Sequence, residues 1–122
     1  MKVLVVDDSE LIRSRLVGLI ERIPGIQPVA IAGSLHQALY EGSYFQPDLI
    51  VLDLNLPDGN AVRIIPLLKR MREGLRIAVL TNDANDYNRQ RCAQAGADWF
   101  FDKSTEFEPL LALLHEQAAA TH

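Results

Sequence analysis

The stretch Met1-Lys2-Val3-Leu4-Val5-Val6-Asp7-Asp8 sets an apolar run directly before two acids, and Leu49-Ile50-Val51-Leu52-Asp53 repeats the pattern with one. Apolar runs this short, without polar alternation, are strands covered on both faces, which is the condition of a parallel sheet flanked by helices. Two such strands side by side would bring the carboxylates of Asp7, Asp8 and Asp53 to one sheet edge. Three anions in one place repel. The cluster survives only if a hard cation binds it or one acid takes a proton.

Outward from these two runs, the chain alternates strand and helix patterns. Strands are predicted at Lys2–Val6, Pro28–Ala32, Leu49–Asp53, Arg76–Thr81 and Trp99–Asp102. A first helix is predicted from Glu10 to Ile23, with Ser9 as N-cap, apolar Leu11, Ile12, Leu16, Leu19 and Ile20 at helical spacing, and a stop at Pro24-Gly25. Further helices are predicted at Leu35–Gly42 after Ser34, Asn60–Glu73 before Gly74, Ala84–Ala95 before Gly96, and Glu106–Ala119. Pro66 falls inside the third of these five helices, where proline costs roughly 3 kcal/mol. Either the helix kinks there, the reading preferred, or it begins late with Pro66 in its first turn. Residues Ala118 to His122 form a tail expected to fray. Five β/α alternations define an α/β fold: one doubly wound domain over residues 1–122 with a parallel five-stranded sheet and right-handed crossovers.

Bulk properties narrow the function. A length of 122 residues with 48% hydrophobic content suits one domain with one core. A net charge of -4 without a basic stripe argues against direct nucleic-acid binding. No apolar stretch reaches membrane-spanning length, and Met1-Lys2 leads into a strand rather than a signal sequence. Cys92 is the single cysteine, which excludes an internal disulfide and suits a reducing, cytoplasmic setting.

In an open parallel sheet, sites form beyond the carboxyl ends of the strands. Those ends carry Asp7 and Asp8, Asp53, Thr81 and Lys103, whereas the second strand ends on Ala32 and Gly33. Carboxylates are the ligands of Mg²⁺. A carboxylate can also attack phosphorus and become an acyl phosphate, and the metal, an ammonium and a hydroxyl can stabilise the transferring oxygens. Each residue alone has a plainer reading: Asp8 as a turn former, Lys103 as a surface lysine, Thr81 as the cap of Thr81-Asn82-Asp83, Asp58-Gly59 as a turn. Their coincidence at one edge favours the chemical reading.

Four segments, in this order and spacing, resemble the receiver domain of two-component response regulators over essentially the whole chain. They are Val3-Leu4-Val5-Val6-Asp7-Asp8-Ser9, the run from Asp48 through Asp53 and Asn55 to Gly59, Ala78-Val79-Leu80-Thr81, and Ala95 through Trp99-Phe100-Phe101-Asp102-Lys103. The resemblance implies a flavodoxin-like sheet of order 2-1-3-4-5. It implies Asp53 as phosphoacceptor, and Asp7, Asp8, Asp53 and the Asn55 carbonyl as Mg²⁺ ligands, with Asp8 the direct ligand of the acid pair. Thr81 would be the switch hydroxyl, Lys103 the phosphate-pairing lysine and Phe100 the switch aromatic. Asn55 and Asp83 stand where residues tune phosphoryl lifetime. Two departures stand out. Ser104-Thr105 follows the lysine where many receivers that feed winged-helix domains have proline, and Phe100 lacks a hydroxyl.

The implied partners are a histidine kinase or histidine phosphotransfer protein, facing Ser14, Arg15 and Gly18 of the first helix and the loop after the fifth strand. Downstream stands a protein target or an effector domain, reached through the face of helix four, strand five and helix five, with a phosphorylation-dependent dimer as an option. The chain would be a signalling switch, an enzyme only toward its own phosphorylation and dephosphorylation. The start at Met1 and lack of a linker favour a free-standing receiver over a fragment of a transcriptional regulator. Rival readings fit less well. A flavin mononucleotide carrier needs a phosphate loop where Asp7-Asp8-Ser9-Glu10 is acidic, and a haloacid-dehalogenase-like phosphatase needs Asp-x-Asp after its first strand. A pseudo-receiver would not keep the five-residue set. His36, His115 and His122 are expected in solvent and Cys92 half-buried. Trp99-Phe100-Phe101 is covered by helices four and five or forms a partly exposed docking patch.

Overall fold

The computed structural model describes residues 1–120; Thr121 and His122, and with them the expectation for His122, lie outside the described residues. Five parallel strands form the sheet: β1 Val3–Val6, β2 Val29–Ala32, β3 Leu49–Leu52, β4 Arg76–Thr81 and β5 Trp99–Asp102, in the order β2-β1-β3-β4-β5. The doubly wound fold and its strand order are those the sequence and its resemblance imply. β1 and β3 are buried along their whole length, as their uninterrupted apolar sequences require. One face of the sheet carries Leu16 and Ile20 with Leu110, Leu114 and Ala118; the other carries Leu35, Ala38, Ile65, Leu68 and Cys92.

The helices begin where side chains satisfy their free N–H groups. Helix α1, Glu10–Ile20, starts at extended Ser9, whose hydroxyl accepts from the Ile12 N–H at 3.2 Å. It stops before Ile23, which precedes Pro24 and is disfavoured from helical backbone. Ile23 and Ile26 still bury under the sheet, whereas Leu11, expected on the apolar face, is 77% exposed. Helix α2, Leu35–Tyr44, starts at Ser34 and passes through Gly42 instead of ending there. The reason is packing. A Cβ at Gly42 would meet Leu68 Cδ2 at 2.9 Å, so the missing side chain lets the next helix approach.

The segment after β3 departs furthest from expectation. Asn55–Leu56 and Gly59–Asn60 pair as a short antiparallel hairpin. A 3₁₀ turn over Ala61–Ile64 follows, capped by the Asn60 side-chain oxygen Oδ1, which accepts from the Val62 N–H at 2.9 Å. Only then does helix α3 run, Ile65–Met71, with Pro66 in its first turn. The kink preferred from sequence is therefore wrong, and the late start holds. Proline's missing N–H falls where a helix has no internal acceptor for it. Helix α4, Asp86–Ala95, begins two residues later than predicted because Asn85 caps it, and ends at Gly96 in the left-handed region (φ 115°). Helix α5, Phe107–Ala120, continues regularly over Ala118 to Ala120, the described part of the tail expected to fray, with Ala118 fully buried under the sheet; the rest of that tail lies outside the described residues.

Candidate functional site

The acids converge because the strands end level. Val6 pairs with Leu52, so Asp7 and Asp53 each stand one residue beyond matched ends. Leu52 pairs with Val79, and β4 continues through Thr81, opposite Asp102. Lys103 comes next and is anchored by its N–H to the Thr81 carbonyl at 2.9 Å. Behind it, the Asp102 carboxylate accepts from the Ser104 N–H and hydroxyl, and Glu106 accepts from the Asp102 N–H.

Asp7, Asp8 and Asp53 each offer a carboxylate oxygen within 4.8 Å of the others. Asp7 and Asp53 are buried and Asp8 is exposed. The Lys103 ammonium donates to Asp7 Oδ2 at 2.5 Å and to Asp53 Oδ2 at 3.1 Å. The other Asp7 oxygen accepts from the Ser9 N–H at 2.8 Å. Burial pushes the Asp53 carboxyl above its ordinary value; Lys103 opposes this and Asp7 adds to it. For Lys103, burial works against the charge, but the hydrogen bond it donates to Asp7 and the charge of Asp53 outweigh it and raise its pKa. The site is thus a partly compensated anionic pocket, in an open groove of about 600 Å³ that Ser9, Arg15, Asn55, Asn82 and Phe107 also line.

The donor set suits a small divalent cation. Only oxygen ligands converge, the anionic charge exceeds what Lys103 neutralises, and the exposed Asp8 leaves a side open to water, which Mg²⁺ keeps in its coordination sphere. The same geometry places one buried carboxylate, Asp53, at the groove with an ammonium beside it, an arrangement able to act as nucleophile toward phosphorus and to stabilise the charge that develops.

Asn55 lines the groove and donates its side-chain amide to Asp83, linking the loops after β3 and β4 across the mouth. Thr81 is fully buried, and its hydroxyl accepts from the Asp83 N–H at 3.1 Å; its neighbour Asn82 lines the groove instead. Phe100 is half-buried on the α4 side, and the Arg89 guanidinium carbon lies 4.7 Å from its ring centre. Trp99 and Phe101 pack on the opposite face, toward α1 and α5, so the three aromatics divide between two layers and do not make one patch. Ser14, Arg15 and Gly18 are exposed on α1, and Arg15 stacks over Phe107 at 5.5 Å. His36 and His115 are exposed as expected. Cys92, expected half-buried, is wholly buried, and burial pushes its thiol up to about 11.

Sequence reading missed two contacts. Arg13 donates to the Asp7 carbonyl at 2.7 Å. Asp58 accepts from the Leu35 and His36 N–H groups at 2.8 and 3.1 Å, tying the loop after Asp53 to the start of α2. Arg13 carried a signal, a cation at the end of the first turn of the helix that follows the acid pair; Asp58 carried none, because its partners lie 22 and 23 residues away.

A buried carboxylate and an ammonium at the carboxyl edge of a doubly wound parallel sheet define an α/β acidic-pocket domain. The sequence matches the model of the response regulator receiver domain over residues 3–115, and the chain belongs to that family. It is 38% identical over 104 residues to the DNA-binding transcriptional activator DevR/DosR of Mycobacterium tuberculosis, covering 84% of this chain and 48% of that protein. It is 32% identical over 117 residues to the nitrate/nitrite response regulator protein NarL of Escherichia coli K12, covering 96% of this chain and 54% of that protein. The chain spans about half the length of these relatives. Among solved structures, it superposes with a TM-score of 0.84 at 28% identity on a Burkholderia pseudomallei response regulator crystallised with a phosphorylated aspartic acid, a calcium ion and citrate, covering 98% of this chain and 69% of that one. No helix among the described residues is long and apolar enough to cross a membrane.

Proposed function

We propose that this receiver domain accepts a phosphoryl group on Asp53 from a phosphohistidine of a histidine kinase or phosphotransfer protein. The observation that carries this reading is the Lys103 ammonium held between Asp7 and Asp53 at the level ends of β1 and β3. An Asp53 carboxylate oxygen attacks phosphorus, the bond from phosphorus to the donor imidazole nitrogen breaks, and the imidazole leaves and takes a proton from water. Lys103 stands beside the carboxylate, ready to pair with the negative oxygens of the transferred group. Asp7, Asp8, Asp53 and the Asn55 carbonyl would hold Mg²⁺, which when bound neutralises phosphoryl charge. Thr81 is the switch hydroxyl of this reading. To reach a phosphoryl oxygen its hydroxyl must turn from the Asp83 N–H. Asn55 and Asp83 would govern water access to the acyl phosphate, and the hydrogen bond that joins them over the mouth supports this.

In this reading the chain is a cytoplasmic switch whose chemistry is limited to gaining and losing its own phosphoryl group. Its output runs through α4, β5 and α5 to a protein target, an effector domain or a second receiver. The relatives are about twice its length and one is named as DNA-binding, which favours a second reading, the receiver part of a longer regulator with DNA contact made elsewhere.

Incubation with phosphoramidate and Mg²⁺, read by intact mass, tests the assignment. Wild type should gain one phosphoryl group. Asp53→Asn should gain none, Asp8→Ala should be labelled far more slowly, and excess EDTA should stop labelling. Wild-type labelling of Asp53→Asn, or full labelling in EDTA, sinks the proposal.

A further inference from the structure

We infer that Arg13 is a positioning residue for the acid pair: it acts through the Asp7 backbone carbonyl to hold Asp7 and Asp8 in a cation-binding arrangement. The inference rests on the proposed metal site and extends it to a residue outside the acid set.

Arg13 Nη1 donates to the Asp7 carbonyl at 2.7 Å, across six residues. With acids close by in sequence, the guanidinium pairs with a neutral carbonyl instead of a carboxylate. Its Nε is buried without a hydrogen-bond partner among the described residues. Leaving a buried donor unpaired is costly, and the bond from Nη1 to the Asp7 carbonyl is a contact that offsets that cost. The surroundings are shaped to admit it. Gly33, just past the end of β2, would place a Cβ 3.0 Å from Arg13 Nη1, so any side chain there crowds the guanidinium. The Asp7 carbonyl belongs to the peptide that joins the two acids. Fixing that peptide limits the rotation that would swing the exposed Asp8 carboxylate away from Asp7 and Asp53. Residues that orient metal ligands in this way commonly matter about tenfold or more to metal affinity.

Two other roles predict different signs. If Arg13 acted only by its charge, removing it would tighten divalent-cation binding, because a nearby cation repels the metal. If it served only the fold, removing it would lower stability and leave affinity alone. Positioning alone predicts weaker binding.

The test measures Mn²⁺ affinity of the full chain by electron paramagnetic resonance of the free ion, since Mn²⁺ takes the same hard oxygen ligands. Urea unfolding without metal is run in parallel. Asp8→Asn marks the site and should weaken binding. Arg13→Met should weaken it about tenfold, Arg13→Lys should restore most of the loss, and Gly33→Ala, which keeps the charge but crowds it, should fall between wild type and Arg13→Met. Unchanged or tighter binding by Arg13→Met overturns the inference, as does weakening that Arg13→Lys leaves unrepaired. If Arg13→Met does not fold, Gly33→Ala decides: unchanged affinity overturns the inference. Wild type that binds no Mn²⁺ overturns the metal site itself, a failure distinct from the others.

Discussion

Lys103 lies closer to Asp7 than to Asp53, 2.5 Å against 3.1 Å, so the ammonium of the pocket is shared unequally between the two buried acids. It occupies the space between the carboxylates that a divalent cation would also neutralise, and the two cations therefore act on the same charge.

Replacing Lys103 by Met should destabilise the metal-free protein by about 3 kcal/mol, the lower range for stranding a buried charge. It should also enlarge the stabilisation that Mg²⁺ confers, because the metal then neutralises acids that have lost their internal partner. Urea unfolding with and without Mg²⁺ checks both. An Mg²⁺ increment equal to that of wild type would show that lysine and metal do not share the acids.

Activation should be visible on the α4–β5 side. Beryllofluoride with Mg²⁺, which mimics the acyl phosphate, should move the amide resonances of residues 84–103 and the emission of Trp99, the only tryptophan. Mg²⁺ alone is subtracted. Phe100 and Trp99 face opposite layers, so a Trp99 response reports displacement of β5 itself and not only rotation of the Phe100 ring. Because Phe100 has no hydroxyl, its coupling rests on packing. Phe100→Ala should keep beryllofluoride binding and lose most of the Trp99 change. Unmoved resonances with the ligand bound would remove this face as the output.

Asp98 should govern part of the acid lability. Burial tends to raise its carboxyl pKa, but the Lys69 ammonium at 2.9 Å, the Ile77 N–H at 2.8 Å and the Arg76 guanidinium at 3.2 Å together hold it below its ordinary value. A native pKa below the unfolded one means the ionised form stabilises the fold. That stabilisation is complete above the unfolded value and drains away as pH falls through the native one. Asp98→Asn should cost about 2 kcal/mol at neutral pH and should flatten the loss of stability below about pH 4. Urea midpoints across pH measure this; a variant as acid-labile as wild type places the effect elsewhere.

Much of this molecule was legible in its sequence, because hydrophobic runs and strand-end acids are local patterns. Val3–Val6 and Leu49–Leu52 announce buried strands, Ser9 and Ser34 announce helix starts through their own next turns, and Gly96 announces a stop. The β/α alternation then leaves one sheet edge for Asp7, Asp8, Asp53 and Lys103 to share.

What tertiary structure alone decided depends on residues far apart in the chain. Gly42 reads as a helix stop and is instead the contact surface for Leu68. Leu11 fits the apolar stripe of α1, yet it is 77% exposed among the described residues. Pro66 is accommodated because the chain after Asp53 first makes a hairpin and a 3₁₀ turn, delaying the helix until proline suits its first turn. Trp99, Phe100 and Phe101 are consecutive, but the pleat of β5 sends them to two different layers. Propensity and spacing set which elements form; the register of the strands and the close approach of the helices set which side chains meet, and no local signal encodes a partner 22 residues away.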